Sequence, residues 1–185
     1  TWTRRGNCVT KSGAPNTVST GLWEPEIILN ADGKLACHFS DERLRASGYS
    51  QKLVMVTSSD GGATWGSPVD VVAIGDSSSR PGMPIVRKLP NGSYALGYEL
   101  CRDSVGNADQ TCRVYLKISS DGAAWGLPAD LGTLVQTADG RQLLHTPALA
   151  WTPGGGPNGT LIMAGQRVVT GSDGPTTVVR PETGR

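Results

Sequence analysis

The stretch Ser58-Ser59-Asp60-Gly61-Gly62-Ala63-Thr64-Trp65-Gly66-Ser67-Pro68 returns later as Ser119-Ser120-Asp121-Gly122-Ala123-Ala124-Trp125-Gly126-Leu127-Pro128. The two aspartates stand 61 residues apart. The text before each copy matches as well. Pro25-Glu26-Ile27-Ile28-Leu29 leads to the turn Asp32-Gly33, and Pro84-Ile85-Val86-Arg87-Lys88-Leu89 leads to Asn91-Gly92. A third copy opens at Pro147-Ala148-Leu149-Ala150-Trp151 and runs through Asn158-Gly159 to Gln166, with Pro153-Gly154-Gly155-Gly156 inserted before its turn. Self-similarity at a fixed period is the mark of a repeat architecture.

Each repeat parses into short strands. The first strand covers residues 26–29, 85–89 and 148–151, and the second covers 34–39, 93–98 and 160–164. Between them lie Asp-Gly or Asn-Gly turns, whose residues tolerate the positive φ of a tight hairpin. The third strand covers 51–57 and 113–119, and the fourth 69–73 and 129–135. No window has helical periodicity. With 25 Gly and 12 Pro among 185 residues, the composition suits many short strands and tight turns. The fold class is therefore all-β: a β-propeller of four-stranded antiparallel blades, with about three blades present. The expected units are 1–20, the end of a preceding blade or an N-terminal segment, then blades at 21–75 and 76–136 and a partial blade at 137–185. Meander connectivity also sorts the loops. The start of the first strand, the end of the second and the loop that follows share one face. The hairpin turns and the two Asp-bearing turns share the other.

A formal charge of +1 argues against nucleic acid or an anionic membrane as partner. No apolar stretch approaches the roughly 20 residues of a spanning helix, and the opening residues do not read as a signal peptide. The four cysteines, Cys8, Cys37, Cys101 and Cys112, contain no Cys-x-x-Cys pair. Neither a metal nor a cofactor is expected. Cys101 and Cys112 flank a loop between strands and read as a disulfide, with Cys8 and Cys37 a second candidate pair. A disulfide implies an oxidising, extracellular setting.

Ser58-x-Asp60-x-Gly62-x-x-Trp65 resembles the Asp-box of sialidase-like (BNR-repeat) propellers, and the second copy resembles a shortened one. In such a turn the Asp accepts backbone N–H groups and the Trp packs between blades. This is a structural role on the face away from any axial site. Further motifs narrow the resemblance: Gly21-Leu22-Trp23-Glu24-Pro25-Glu26, Phe39-Ser40-Asp41-Glu42, Tyr49-Ser50-Gln51-Lys52-Leu53, Arg80-Pro81-Gly82-Met83-Pro84 and Tyr98-Glu99. Together they are similar to the secreted exo-1,5-α-L-arabinanases, six-bladed propeller glycosidases. The resemblance runs from about Gly21 to Gln166. It implies an exo-acting, retaining glycoside hydrolase with an oligosaccharide or polysaccharide of arabinose as partner. In that chemistry one carboxylate protonates the leaving oxygen and another attacks the anomeric carbon.

The predicted axial face offers Glu24, Glu26, Asp41, Glu42 and Glu99. Glu99 ends an apolar strand beside Tyr98, where burial raises a carboxyl pKa, and is the candidate general acid. Glu24, Glu26, Asp41, Glu42, Arg80, His145 and Trp23 are candidate substrate-binding residues. Arg80 supplies a fork of donors and Trp23 a stacking surface. Each also has a plainer reading: an ion pair for Arg80 and the carboxylates, a filled core for Trp23, a solvated loop for Asp41 and Glu42. His38 falls within a strand and reads as a packed residue. Asn91-Gly92-Ser93 and Asn158-Gly159-Thr160 match the glycosylation acceptor pattern, although hairpin geometry suffices to explain both.

No later residue matches the family's second catalytic carboxylate, since the only Glu after Glu99 is Glu182 in a polar tail. The chain alone is expected to lack part of the machinery, and its remaining blades to come from the same protein or another copy. Two alternatives stand. A sialidase would need an arginine cluster and an Arg-Ile-Pro motif, and the nearest text, Arg80-Pro81-Gly82, lacks the isoleucine. A non-catalytic propeller that binds sugar or protein would carry the same Asp-bearing turns.

Overall fold

The computed structural model describes residues 1–11, 20–102 and 112–170. Most of the loop expected at 102–110, and the tail that holds Glu182, lie outside the described residues. The chain is all-β and antiparallel. Strands β1 (Leu22–Leu29), β2 (Leu35–Asp41), β3 (Lys52–Ser58) and β4 (Val69–Val72) form a four-stranded sheet in that order. A second meander follows in β5 (Ser79–Lys88), β6 (Tyr94–Arg102), β7 (Arg113–Ser119) and the two-residue β8 (Thr133–Leu134). Next come β9 (Arg141–Leu144), β10 (Ala148–Thr152), β11 (Thr160–Ala164) and β12 (Arg167–Thr170). Strand β10 pairs with β11, and β9 pairs with β12. These are blades of a partial β-propeller.

The first strand of each repeat is longer than the sequence suggests, because it continues through its proline. In the first blade, Leu22 and Trp23 pair with Asp41 and Ser40, and pairing resumes at Glu26 with His38 after an irregularity. In the second, Gly82 pairs with Glu99 and pairing resumes at Ile85 with Gly97. In the third, β9 and β12 lie above the same break and β10 and β11 below it, from Leu144 with Arg167 to Ala148 with Ala164. Each break is a β-bulge on the residue before a proline. Glu24, Met83 and Thr146 all have positive φ (56°, 52° and 41°), as does His145 at 59°. Proline is tolerated there because the bulge asks for no ladder N–H.

Side-chain alternation fixes which face looks where. Ala36, Leu53, Met55, Val71 and Val72 of the first blade meet Val86, Tyr94, Leu96, Tyr98, Leu100 and Trp125 of the second in one core. Ala95 and Val114, on the other face of the second blade, meet Leu149 and Met163 of the third. Cys37, Phe39, Val54 and Val56, on the far face of the first blade, are covered by Cys8, Val9, Leu22 and Trp65.

The Asp60 and Asp121 turns are built as their residue types demand. Asp60 accepts the Thr64 backbone N–H (2.9 Å) and hydroxyl (2.6 Å), and Asp121 accepts the Ala123 and Ala124 N–H groups at 2.8 and 2.7 Å. Trp125 enters the interface between the first two blades, where its indole N–H donates to His38 Nε2 at 3.1 Å. The Asp121 carbonyl accepts the Ala31 N–H at 2.8 Å, so this turn sits against the hairpin end of the first blade. The fourth strand of the second blade shrinks to Thr133–Leu134 for a local reason. The buried Lys117 ammonium binds the carbonyls of Val71, Leu127 and Asp130 at 3.3, 3.2 and 2.8 Å, which turns residues 127–130 away from the ladder. Cys101 and Cys112 are disulfide-bonded. Cys8 and Cys37 are free thiols, and Cys8 beside it adds to the burial that raises the Cys37 pKa.

Candidate active site

The three bulges bring polar side chains together at one end of the inner strands. Glu24 occupies the bulge of β1, and its Oε2 accepts two hydrogen bonds, from Ser40 Oγ at 2.8 Å and from the Met83 backbone N–H at 2.7 Å. Met83 is itself the bulge residue of the next blade. Glu99, on β6, repeats the pattern one blade further. Its Oε2 accepts the N–H of Thr146, the third bulge residue, at 2.6 Å. A carboxylate from one blade thus satisfies the bulge amide of the following blade, first from β1 and then from β6. A hydrogen bond of this kind contributes about 0.5–1.5 kcal/mol net, so these contacts stabilise the bulges and aim the carboxyl groups.

Glu99 is half-buried. Burial is the largest influence on its carboxyl and, with the negative charge of Glu24, lifts its pKa above the ordinary value against the opposing pull of the Thr146 N–H. Its Oε1 lies 3.5 Å from Cys101 Sγ. Glu99, Cys101 and Cys112 form a cluster of ligand-type atoms, but both sulfurs are committed to the disulfide.

Glu42 plays a different part. It is 5% exposed, and both its oxygens are occupied. Arg80 Nη2 donates to Oε1 and the Gly21 N–H donates to Oε2 at 2.9 Å. Burial by itself would raise its pKa, yet Arg80, the Gly21 N–H and the Trp23 side chain outweigh burial and hold it below the ordinary value. Arg80 also donates to Gln51 Oε1 at 2.7 Å, and Gln51 Nε2 donates to the Pro81 carbonyl at 2.9 Å. This network ties the loop after β2 to the inner strand of the second blade. Trp23 is 39% exposed, and its ring lies so close to Gly21 that a Cβ there would stand 2.1 Å from it.

Not every residue predicted for the axial face reaches it. Asp41 alternates with Ser40 and Glu42 and points to the far face of the first blade, where Arg43 clasps it through Nε at 2.9 Å and Nη2 at 2.7 Å. Glu26 lies between the blades, in an ion pair with Arg87 at 2.8 Å and accepting the Val86 N–H at 3.2 Å. Of the carboxylates named from the sequence, Glu42 forms an ion pair with Arg80. Arg80 stands within β5 rather than ahead of a strand, and His145 stands at the third bulge, its N–H bonded to the Cys112 carbonyl at 2.9 Å. Sequence reading missed Ser40, Gln51, Met83 and Thr146. The repeated X-Pro before each inner strand (Glu24-Pro25, Met83-Pro84, Thr146-Pro147) was the available signal.

Blades whose inner strands gather carboxyl groups, an arginine and an indole at one end of a common axis define a propeller with a polar axial mouth. Comparison with solved structures makes the class more particular. The α-L-arabinanase of Penicillium chrysogenum, complexed with arabinobiose, is 35% identical with a TM-score of 0.66, over 80% of this chain and 40% of that one. A GH93 α-L-arabinofuranosidase of Fusarium graminearum, also with arabinobiose, is 33% identical with a TM-score of 0.64 and the same coverage. An endo-arabinase of Bacteroides thetaiotaomicron, at 14% identity and a TM-score of 0.50, shares the fold alone. The resemblance to propeller arabinanases drawn from the sequence is borne out by these neighbours, and the chain spans about 40% of the length of the first two. No family model and no curated protein matches the chain.

Proposed function

We propose that this chain carries the acid half of an exo-acting, retaining glycosidase for arabinan or related oligosaccharides. The observation that carries the reading is Glu99: a half-buried carboxyl at the axial mouth, aimed by the Thr146 N–H and held above its ordinary pKa. Such a group holds its proton to higher pH than an ordinary carboxyl and can deliver it to a glycosidic oxygen as the bond to the anomeric carbon breaks. The attacking carboxylate belongs about 5–5.5 Å away in a retaining enzyme, and we assign it to a blade beyond those described. Glu24 Oε1 and the open face of Trp23 contact the sugar, with Arg80 and His145 at the rim. Glu42 serves the site by fixing Arg80. The complexes of the solved neighbours with arabinobiose support a furanose ligand.

The Asp60 and Asp121 turns support membership of the Asp-box, sialidase-like superfamily. The Cys101–Cys112 disulfide supports a secreted protein.

The test is Glu99→Gln in the complete protein, assayed on linear arabino-oligosaccharide. The expected result is a fall in kcat of about 10²–10⁴-fold with oligosaccharide binding retained. Undiminished turnover would remove Glu99 from the role. Binding without turnover in the unmodified complete protein would make it a sugar-binding propeller instead.

A further inference from the structure

We propose that Glu24 is a positioning residue for Glu99: seated over the side-chain-free Gly82, it holds the second blade's bulge in place and sets a negative charge that opposes ionisation of the Glu99 carboxyl. The inference rests on the reading of Glu99 as a proton donor.

Three observations carry it. First, Gly82 pairs directly with Glu99 across β5 and β6. Secondly, Glu24 shares with Gln51 and Ser40 the space that a side chain at 82 would need, since a Cβ there would lie 2.7 Å from Gln51 Nε2, 3.0 Å from Ser40 Oγ and 3.1 Å from Glu24 Oε2. Glycine at 82 therefore lets a carboxylate of one blade approach the carboxyl of the next. Thirdly, Glu24 is locked. Ser40 and the Met83 N–H both bind Oε2, and a positive φ at Glu24 fixes the backbone beneath it. A fixed negative charge beside a half-buried carboxyl disfavours its ionisation, which agrees with the direction found for Glu99.

Among the described residues, the surrounding charged groups leave this assignment in place. Arg80 is engaged by Glu42 and Gln51, and Arg102 lies 3.8 Å from Asp76. Arg113 pairs in register with Leu100, so alternation puts it on the face away from Glu99. His145 adjoins Thr146 at the third bulge.

The experiment follows the Glu99 carboxyl carbon by NMR across a pH titration of the 185-residue chain, unmodified and with Glu24→Gln or Glu24→Asp. Gln keeps an acceptor for Ser40 and Met83 but loses the charge, so the Glu99 midpoint is expected to move to lower pH. Asp keeps the charge, and its midpoint is expected to stay nearer that of the unmodified chain. An unmoved or raised midpoint in Glu24→Gln overturns the proposal. Should that variant not fold, the unmodified chain decides. Its Glu99 midpoint is expected to fall as added salt screens the Glu24 charge, and a midpoint that salt leaves unmoved overturns the proposal.

In the complete protein, the basic limb of the kcat/KM profile is expected at lower pH in Glu24→Gln. An NMR response without any hydrolysis would sink the glycosidase reading and leave the carboxyl coupling intact. Hydrolysis lost in Glu99→Gln, with no coupling in the titration, would sink this inference alone.

Discussion

His38 shows how one residue can tie the Asp-bearing turns to the blade interface. It is 0% exposed, and burial depresses its pKa to about 4, with the Glu26 backbone pulling weakly the other way. The ring is neutral in the folded chain, with Nε2 accepting from Trp125. An unfolded chain would take up the proton first, near the ordinary value of 6.5. Stability from this residue is therefore full above pH 6.5 and is lost as the pH falls from there toward 4, by up to roughly 3 kcal/mol. Urea unfolding as a function of pH checks this. The slope across that window is expected to flatten in His38→Gln, and an equal slope in both proteins would mean that His38 is charged or accessible. Its packed role was legible in the sequence from its place inside a strand. Its partner was not, because Trp125 reaches it from a turn 87 residues away.

At the scale of the element, the inner-strand bulge governs what the sequence disclosed. Hairpin turns and apolar runs locate the strands, but the sequence places the start of each inner strand just after its proline. Glu24-Pro25, Met83-Pro84 and Thr146-Pro147 instead interrupt strands that continue toward the axial mouth. The residues beside these breaks, Ser40, Gly82 and Gln51, carry no conspicuous chemistry in one dimension. Their importance comes from packing across blades, which periodicity within a strand does not encode. Asp41 and Glu42 illustrate the same limit, since adjacent carboxylates in a polar stretch look alike until alternation sends them to opposite faces. Gly82→Ala tests the element directly. The added methyl would meet Gln51 Nε2 at 2.7 Å, and Gln51 can yield only by giving up the Pro81 carbonyl or Arg80. Overpacking of this kind costs about 1–3 kcal/mol, so a lower urea midpoint is expected, with Glu24 displaced from the Met83 N–H. A crystal structure of Gly82→Ala with Glu24 and Gln51 unmoved would show that the mouth has slack that the distances deny.

Across the whole molecule, burial is uneven in a way that follows the blade count. The first two blades share a continuous core, whereas Ile118, on the face of β7 turned toward the third blade, remains 56% exposed. At the opposite end of the stack, Ile27 and Leu29 are 54% and 58% exposed on the face of β1 turned away from the second blade. Among the described residues β11 pairs only with β10, so alternate amides of β11 have no ladder partner, and a lone hairpin is marginal unless something packs on it. Here Leu149 and Met163 provide that packing, but on one face only. Local opening should therefore cost far less for β10 and β11 than for β2, β3 or β6. Hydrogen exchange on the 185-residue chain is expected to show β10 and β11 exchanging first and the central strands of the first two blades last. In a longer protein that supplies a strand along β11, protection of β11 should rise to that of β2, and Ile118 should become buried. If β11 in the 185-residue chain exchanged as slowly as β2, its outer edge would have to be covered, and sedimentation of the same sample would show whether a second copy covers it.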